Sequence, residues 1–260
     1  MPAAGMIYGA YGYTGELVAR RSVARGLRPV LAGRREAPLR ALATELGLEA
    51  RAFALDDPAA AARALAGVGA LLHCAGPFAH TWRSMVDACL EARCHYLDVT
   101  GEVDVFERMA ALSSRAEAAG VMLLPGVGFD VVPSDALAAH VAARLPGATR
   151  LRLAFTALGG VSRGTALTMV ERLGSKGLVR CGGSLVAVRP FRRATLDLGD
   201  GRPRPAVQIP WGDLATAWRS TGIPDLEVYM VVPRAVARSL SLAALAGPLL
   251  GLPPLRRALA

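Results

Sequence analysis

Met6-Ile7-Tyr8-Gly9-Ala10-Tyr11-Gly12-Tyr13-Thr14-Gly15-Glu16-Leu17-Val18-Ala19-Arg20 begins as a short apolar run, passes through a turn with glycine at every third position, and continues as a helical pattern. A strand ending in such a turn aims the free N–H groups of the following helix at one point. The helix dipole adds partial positive charge there, which suits a pyrophosphate. Glycine is required where a Cβ would collide with the phosphate or with the helix packed on the strand. The spacing G-x-x-G-x-x-G is one residue looser than the usual dinucleotide fingerprint. Gly9, Ala10, Tyr11, Gly12, Tyr13, Thr14 and Gly15 are therefore the first candidates for cofactor contact. On its own the turn is a weak signal, because turns use glycine anyway.

The next strand supplies a second signal. Arg28 to Arg35 reads as a strand and its exit, after a first helix from Glu16 to Arg25 that Gly26 closes. An acidic residue at this exit takes the ribose hydroxyls of NAD, whereas Arg34 and Arg35 stand here. A guanidinium fork matches a 2′-phosphate, so the sequence favours NADP(H); two solvated arginines are the structural alternative. A third strand, Leu48 to Leu55, leads to Asp56-Asp57-Pro58. Asp56 is a candidate for the adenine edge, and the same residues also suit a helix N-cap ahead of a proline. The fourth strand, from Gly69, runs into Ala75-Gly76-Pro77, where small residues let a ribose or second phosphate approach the backbone.

His80 to Ala92 is amphipathic, with Trp82, Met85, Val86, Cys89 and Leu90 on its core face. The fifth strand, Cys94 to Val99, ends in an acidic, glycine-bearing exit, Thr100-Gly101-Glu102. A helix from Val103 to Ala119 follows, and Glu102 is placed to cap it. The sixth strand, Val121 to Leu124, opens into Pro125 to Asp135, whose last three residues read as a helix start. Six strand–helix units in about 130 residues make an α/β Rossmann-type doubly wound parallel sheet the economical architecture. Beyond Leu145-Pro146-Gly147 the pattern becomes that of a smaller α+β domain: strands at 150–158, 185–188, 206–209 and 226–232, and a helix at 164–173. Arg192-Arg193 and Asp200 to Pro203 read as exposed turns. The expected division is 1–148 for the NADP-binding domain and 149–260 for a substrate or dimerisation domain.

Composition narrows the class. Hydrophobic residues make up 53% and charged residues 20%, which is a folded globular balance and not a disordered one. The net charge is +9, and every basic residue but Lys176 is arginine. These charges are scattered, so no nucleic-acid footprint is expected, and anionic small molecules or acyl thioesters fit better. Four cysteines, Cys74, Cys89, Cys94 and Cys181, form no C-x-x-C pair and no zinc spacing; buried free thiols in a cytoplasmic protein are expected. No signal peptide is expected ahead of the first strand. The apolar tail at 239–252 is broken by Gly247-Pro248 and too short for a membrane span, leaving peripheral membrane contact open. Homodimerisation is left open as well.

Several motifs in order resemble one family. Gly9 to Gly15, Ala32-Gly33-Arg34, Ala75-Gly76-Pro77-Phe78, Tyr96 to Glu102, and Pro125 to Asp130 are similar to the saccharopine dehydrogenase-like oxidoreductases. Trp211-Gly212-Asp213 and Ser220 to Pro224 resemble the branch that includes trans-acting enoyl reductases. The resemblance implies an NADP-binding Rossmann domain, a following α+β domain, and hydride reduction of a carbon–carbon or imine-like double bond. Chains of that family run on past the point where this one stops, which leaves truncation of the second domain open. No site for an amino-acid substrate's carboxylates is evident. The Tyr-x-x-x-Lys pair of short-chain dehydrogenases is absent, since the one lysine, Lys176, follows Arg172 by four residues. Tyr96, Asp98, Glu102 and Asp130 are the candidates for substrate or proton roles. His73, His80 and His95 are candidate relays, with a structural histidine the alternative. A sensor that binds NADP without catalysis is the competing reading.

Overall fold

The computed structural model describes residues 4–156 and 176–243. Contacts divide the chain into two units, residues 1–132 and 133–260. The first holds six parallel strands: β1 (Ala4–Tyr8), β2 (Val30–Gly33), β3 (Ala50–Ala52), β4 (Val68–His73), β5 (His95–Asp98) and β6 (Leu123–Leu124). Their order is β3-β2-β1-β4-β5-β6, so the winding reverses between β1 and β4. A doubly wound sheet opens its ligand crevice at that reversal, outside the carboxyl ends of the strands. Tyr8, the last residue of β1, pairs with Ala32 on one side and His73 on the other.

Strand alternation divides β1 between two cores. Ile7 packs with Leu31, Leu39 and Leu42, while Met6 and Tyr8 pack with Leu71, Met85 and Tyr96. Both faces are therefore covered, as a parallel sheet requires. The covering helices are α1 (Tyr13–Ala24), α2 (Glu36–Leu46), α3 (Pro58–Ala64), α4 (Phe78–Ala92), α5 (Val103–Ala110) and α6 (Ser113–Ala119). The single helix expected over 103–119 is thus two. At the break Leu112 N–H bonds the Met109 carbonyl, and the Ser113 hydroxyl donates to the Ala110 carbonyl at 2.7 Å. A serine bonding locally to backbone competes with the helical ladder. The core face of α4 is as expected: Trp82, Met85, Val86, Cys89 and Leu90 are all buried.

The second unit begins with α7 (Val132–Arg144), which the sequence reading placed in the first domain. Asp135 on this helix accepts a 2.9 Å bond from Ser220, deep in the second unit's sequence. The strands are β7 (Arg150–Thr156), β8 (Gly177–Cys181), β9 (Ser184–Val188), β10 (Arg193–Leu196), β11 (Arg204–Gln208) and β12 (Asp225–Val231). Helices α8 (Asp213–Thr221) and α9 (Arg234–Ala243) complete it. β12 is the organising strand, parallel to β7 and antiparallel to β11 and β8. β8 was not expected. Arg193 opens a strand where a turn was expected, with Arg193 paired to Val207. The helix expected at 164–173 and most of the apolar tail at 239–252 lie outside the described residues; 239–243 end α9. No described helix is long and apolar enough to cross a membrane. All four cysteines are free, but only Cys89 and Cys94 are buried; Cys181 is exposed, contrary to expectation.

Candidate functional site

The glycine turn is built by the backbone. Gly9 and Ala10 N–H groups both donate to the Ala32 carbonyl, at 2.8 and 3.1 Å, and Gly12 N–H donates to the Gly9 carbonyl at 2.9 Å. Gly9 has φ +81°, and a Cβ there would lie 3.0 Å from both the nitrogen and the Cβ of Ala75. The turn after β1 therefore lies directly against the turn after β4. Gly15 is excluded from carrying a side chain by its own turn: a Cβ would drive into the Gly9 carbonyl and come within 2.9 Å of the Ala10 Cα. No side chain caps α1, whose N-cap is Gly12. The first N–H groups of a helix have no partner within it, so Tyr13, Thr14 and Gly15 offer theirs outward. Tyr13 and Thr14 are exposed. This cradle fits a diphosphate.

At the end of β2, Gly33 exists because Tyr11 lies across it: a Cβ at Gly33 would meet the Tyr11 ring at 2.6 Å. The Tyr11 hydroxyl accepts the Arg35 N–H at 3.1 Å, and the Arg35 guanidinium lies 5.0 Å from the ring centre. Arg34 is exposed beside this pair and within electrostatic reach of Tyr8. Burial, reinforced by Tyr11, pushes the Tyr8 phenol up to about 12, so it stays neutral and donates to the Phe53 carbonyl at 3.2 Å. Asp57, not Asp56, is the cap: its Oδ1 accepts the Ala60 N–H at 2.9 Å, with Pro58 opening α3. Asp56 is left exposed near Tyr8.

The acidic candidates serve the scaffold. Glu102 is 7% exposed, and its two carboxylate oxygens accept Phe78 and Ala79 N–H at 2.9 and 3.0 Å. It caps α4, which starts behind the cis Gly76–Pro77 bond, and not the helix that follows it in sequence. Asp98 is wholly buried. Its Oδ1 accepts Thr100 N–H at 2.9 Å and Gly126 N–H at 2.8 Å, while Oδ2 accepts the Tyr96 hydroxyl at 2.8 Å. One carboxyl thus pins the exits of β5 and β6 together. Burial raises the Asp98 pKa against these bonds, and burial with the Asp98 charge raises Tyr96 far above the usual tyrosine range. His73 Nδ1 lies 3.1 Å from the Tyr96 hydroxyl, and burial holds this imidazole down at about 3, hence neutral. Tyr96 donates to Asp98, so the Nδ1 facing its oxygen is assigned the proton. This His73–Tyr96–Asp98 chain escaped the sequence reading as a unit. Its signal is alternation, with Tyr96 and Asp98 on one side of β5 and His73 ending the neighbouring strand.

Asp130 alone of the four stands at the surface, its carboxyl beside Gly101 and its pKa raised by partial burial. Its neighbour Phe129 is 89% exposed. In the second unit, Asp213 of the Trp211-Gly212-Asp213 motif is fully buried; burial raises it to about 6, opposed by a hydrogen bond with Ser134. Among the described residues no cluster of metal-ligating side chains occurs.

Residues 6–124 match the family model described as saccharopine dehydrogenase NADP binding domain. A saccharopine dehydrogenase-like oxidoreductase of Arabidopsis thaliana is 36% identical over 80 residues, 30% of this chain and 18% of that one. A trans-acting enoyl reductase of Mycobacterium tuberculosis is 30% identical over 144 residues, 50% of this chain and 33% of that one. Each match spans less than half of the relative's length. Apo saccharopine dehydrogenase (L-Glu forming) of Saccharomyces cerevisiae shares the fold, with a TM-score of 0.66 at 13% identity over 90% of this chain and 56% of that one.

Proposed function

We propose that this chain, whose residues 6–124 belong to the saccharopine dehydrogenase NADP-binding domain family, is an NADP(H)-dependent reductase of an unsaturated acyl or related apolar substrate. The observation that carries the reading is the uncapped, glycine-lined start of α1 beside two arginines at the end of β2. The N–H groups of Tyr13, Thr14 and Gly15 would hold the diphosphate, and the Arg34 fork the 2′-phosphate. Ala75 and Gly76 leave room for the second ribose. Bound NADPH supplies a hydride at the nicotinamide C4. Asp130, more readily protonated than an ordinary aspartate, is the candidate to hold or deliver a proton at its carboxyl. Exposed Phe129 beside it, and relatives named as enoyl reductases, support an apolar acceptor.

A second reading has one observation behind it. Asp98 and Glu102 are engaged with backbone N–H groups and the Tyr96 hydroxyl, as suits a nucleotide-binding sensor without acid–base chemistry. Calorimetry with NADPH and NADH, followed by NADPH oxidation assays on a panel of enoyl thioesters, separates the two. Oxidation supports the reductase, binding without oxidation the sensor, and absence of heat with either coenzyme overturns both.

A further inference from the structure

The second unit carries a groove of about 390 Å³ between the β10–β11 pair and α9. Its floor is made of small residues, Ala194, Pro205, Ala206 and Ala237, and its walls carry Arg193, Arg234 and Arg238. Some arginines of this unit are paired with carboxylates: Arg204 with Asp200 at 2.6 Å, Arg192 and Arg152 with Glu227. The three groove arginines have no carboxylate or carbonyl partner among the described residues. Two of them stand one turn apart on the same face of α9, an arrangement that disfavours a helix by like-charge repulsion. Arg234 also lies in the first turn, where the helix dipole is already positive and no acidic residue offsets it. The helix is nevertheless fixed: Ser241 donates to the Phe191 carbonyl at 3.0 Å, and Arg189 donates to the Ser241 carbonyl at 3.4 Å.

From this uncompensated charge around a small-residue floor, we infer that the groove binds a multiply charged phosphate group, of the class of an organic diphosphate. Guanidinium forks match phosphate oxygens two at a time, and three forks around one cleft select a polyanion over a monocarboxylate. The floor leaves the depth that a phosphate and its first substituent need. The groove is made wholly of second-unit residues and stands independently of the reductase reading.

Inorganic pyrophosphate is the probe, titrated calorimetrically into the whole chain saturated with NADPH, so that the glycine turn is filled. Pyrophosphate is expected to bind once per chain. Arg193→Gln and Arg238→Gln each weaken it roughly tenfold or more, as for loss of a charge-assisted pair, with NADPH affinity unchanged. All three side chains are exposed, so the variants test binding and not folding. Absence of pyrophosphate binding, or equal affinity in wild type and both variants, overturns the site. If NADPH itself fails to bind, the titration is run without it. Loss of pyrophosphate in Arg34→Gln alone then assigns the anion to the glycine turn and also overturns the groove.

Discussion

Replacing Glu102 by glutamine separates scaffold from catalyst. Its carboxylate receives Phe78 and Ala79 N–H at 2.9 and 3.0 Å in a nearly closed environment. Glutamine keeps one acceptor and turns an NH2 donor toward the other amide, so one bond is lost and two donors face each other. A hydrogen bond to a charged group contributes about 1.5–3 kcal/mol, and the buried N–H it abandons adds to the loss. The carboxylate's favourable placement at the positive end of α4 contributes roughly 0.5–1 kcal/mol more. The expected destabilisation is about 3 kcal/mol. For a unit of this size, roughly 4 °C per kcal/mol lowers Tm by about 12 °C. Glu102→Ala strands both donors and melts lower still. Circular dichroism melts give Tm; NADPH oxidation, measured well below the melting range, gives turnover. The reasoning requires a large drop in Tm with turnover of the folded fraction largely retained. An unchanged Tm with turnover abolished would show that Glu102 acts on the substrate and that the capping geometry is not its purpose.

Gly15→Ala forces a Cβ into the Gly9 carbonyl, and overpacking of this kind costs about 1–3 kcal/mol; NADPH affinity by calorimetry falls by at least tenfold, and an unaltered affinity removes the diphosphate from this turn. Arg34→Gln should weaken NADPH by about 1.5–3 kcal/mol and leave NADH unchanged, since only the 2′-phosphate contact is lost. Equal losses for both coenzymes would discard the arginine's selective role. Asp213 titrates near 6 in the fold against 3.8 for the free side chain. The folded state therefore binds more protons between those values, and stability falls as pH rises from about 4 to 6. Asp213→Asn removes that slope and raises stability at pH 7 by up to about 3 kcal/mol. Urea titrations at pH 4 and pH 7 read both effects, and a pH-independent wild type contradicts the burial of this carboxyl.

The first unit was legible because its signals are local. Gly12 and Gly15 are imposed by their own turn, and the paired arginines and the small residues at 75 and 76 directly follow a strand, although Gly9 also answers to distant Ala75. The second unit was harder to read. β8 shows mixed exposure without strict alternation; β10 alternates over only four residues, and Arg193 reads as a turn residue until Val207 is placed opposite it. The helix break at Ala111-Leu112 depends on one hydroxyl, for which the 3.6-residue period carries no warning. Roles that join distant segments were the least visible. Residue type marked Glu102 and Asp98 as chemistry, but each is claimed by donors about 25 residues away, Phe78 and Ala79 for one and Gly126 for the other.

The placement of these carboxylates constrains the chemistry. Hydride transfer asks for position more than for acid–base strength. A site whose buried acids fix three strand exits spends them on holding the turns after β4, β5 and β6 at one edge of the sheet. The His73–Tyr96–Asp98 chain serves the same end: a neutral imidazole and an un-ionised phenol add no net charge near the crevice. On the proposed reductase reading, proton delivery falls to a group at the rim, and Asp130 is the candidate whose exposure permits it. The pH dependence of NADPH oxidation should accordingly follow a carboxyl titrating above the usual aspartate range, and Asp130→Asn should flatten it while leaving NADPH affinity intact. A profile unchanged by that substitution would remove Asp130 from the proton-donor role.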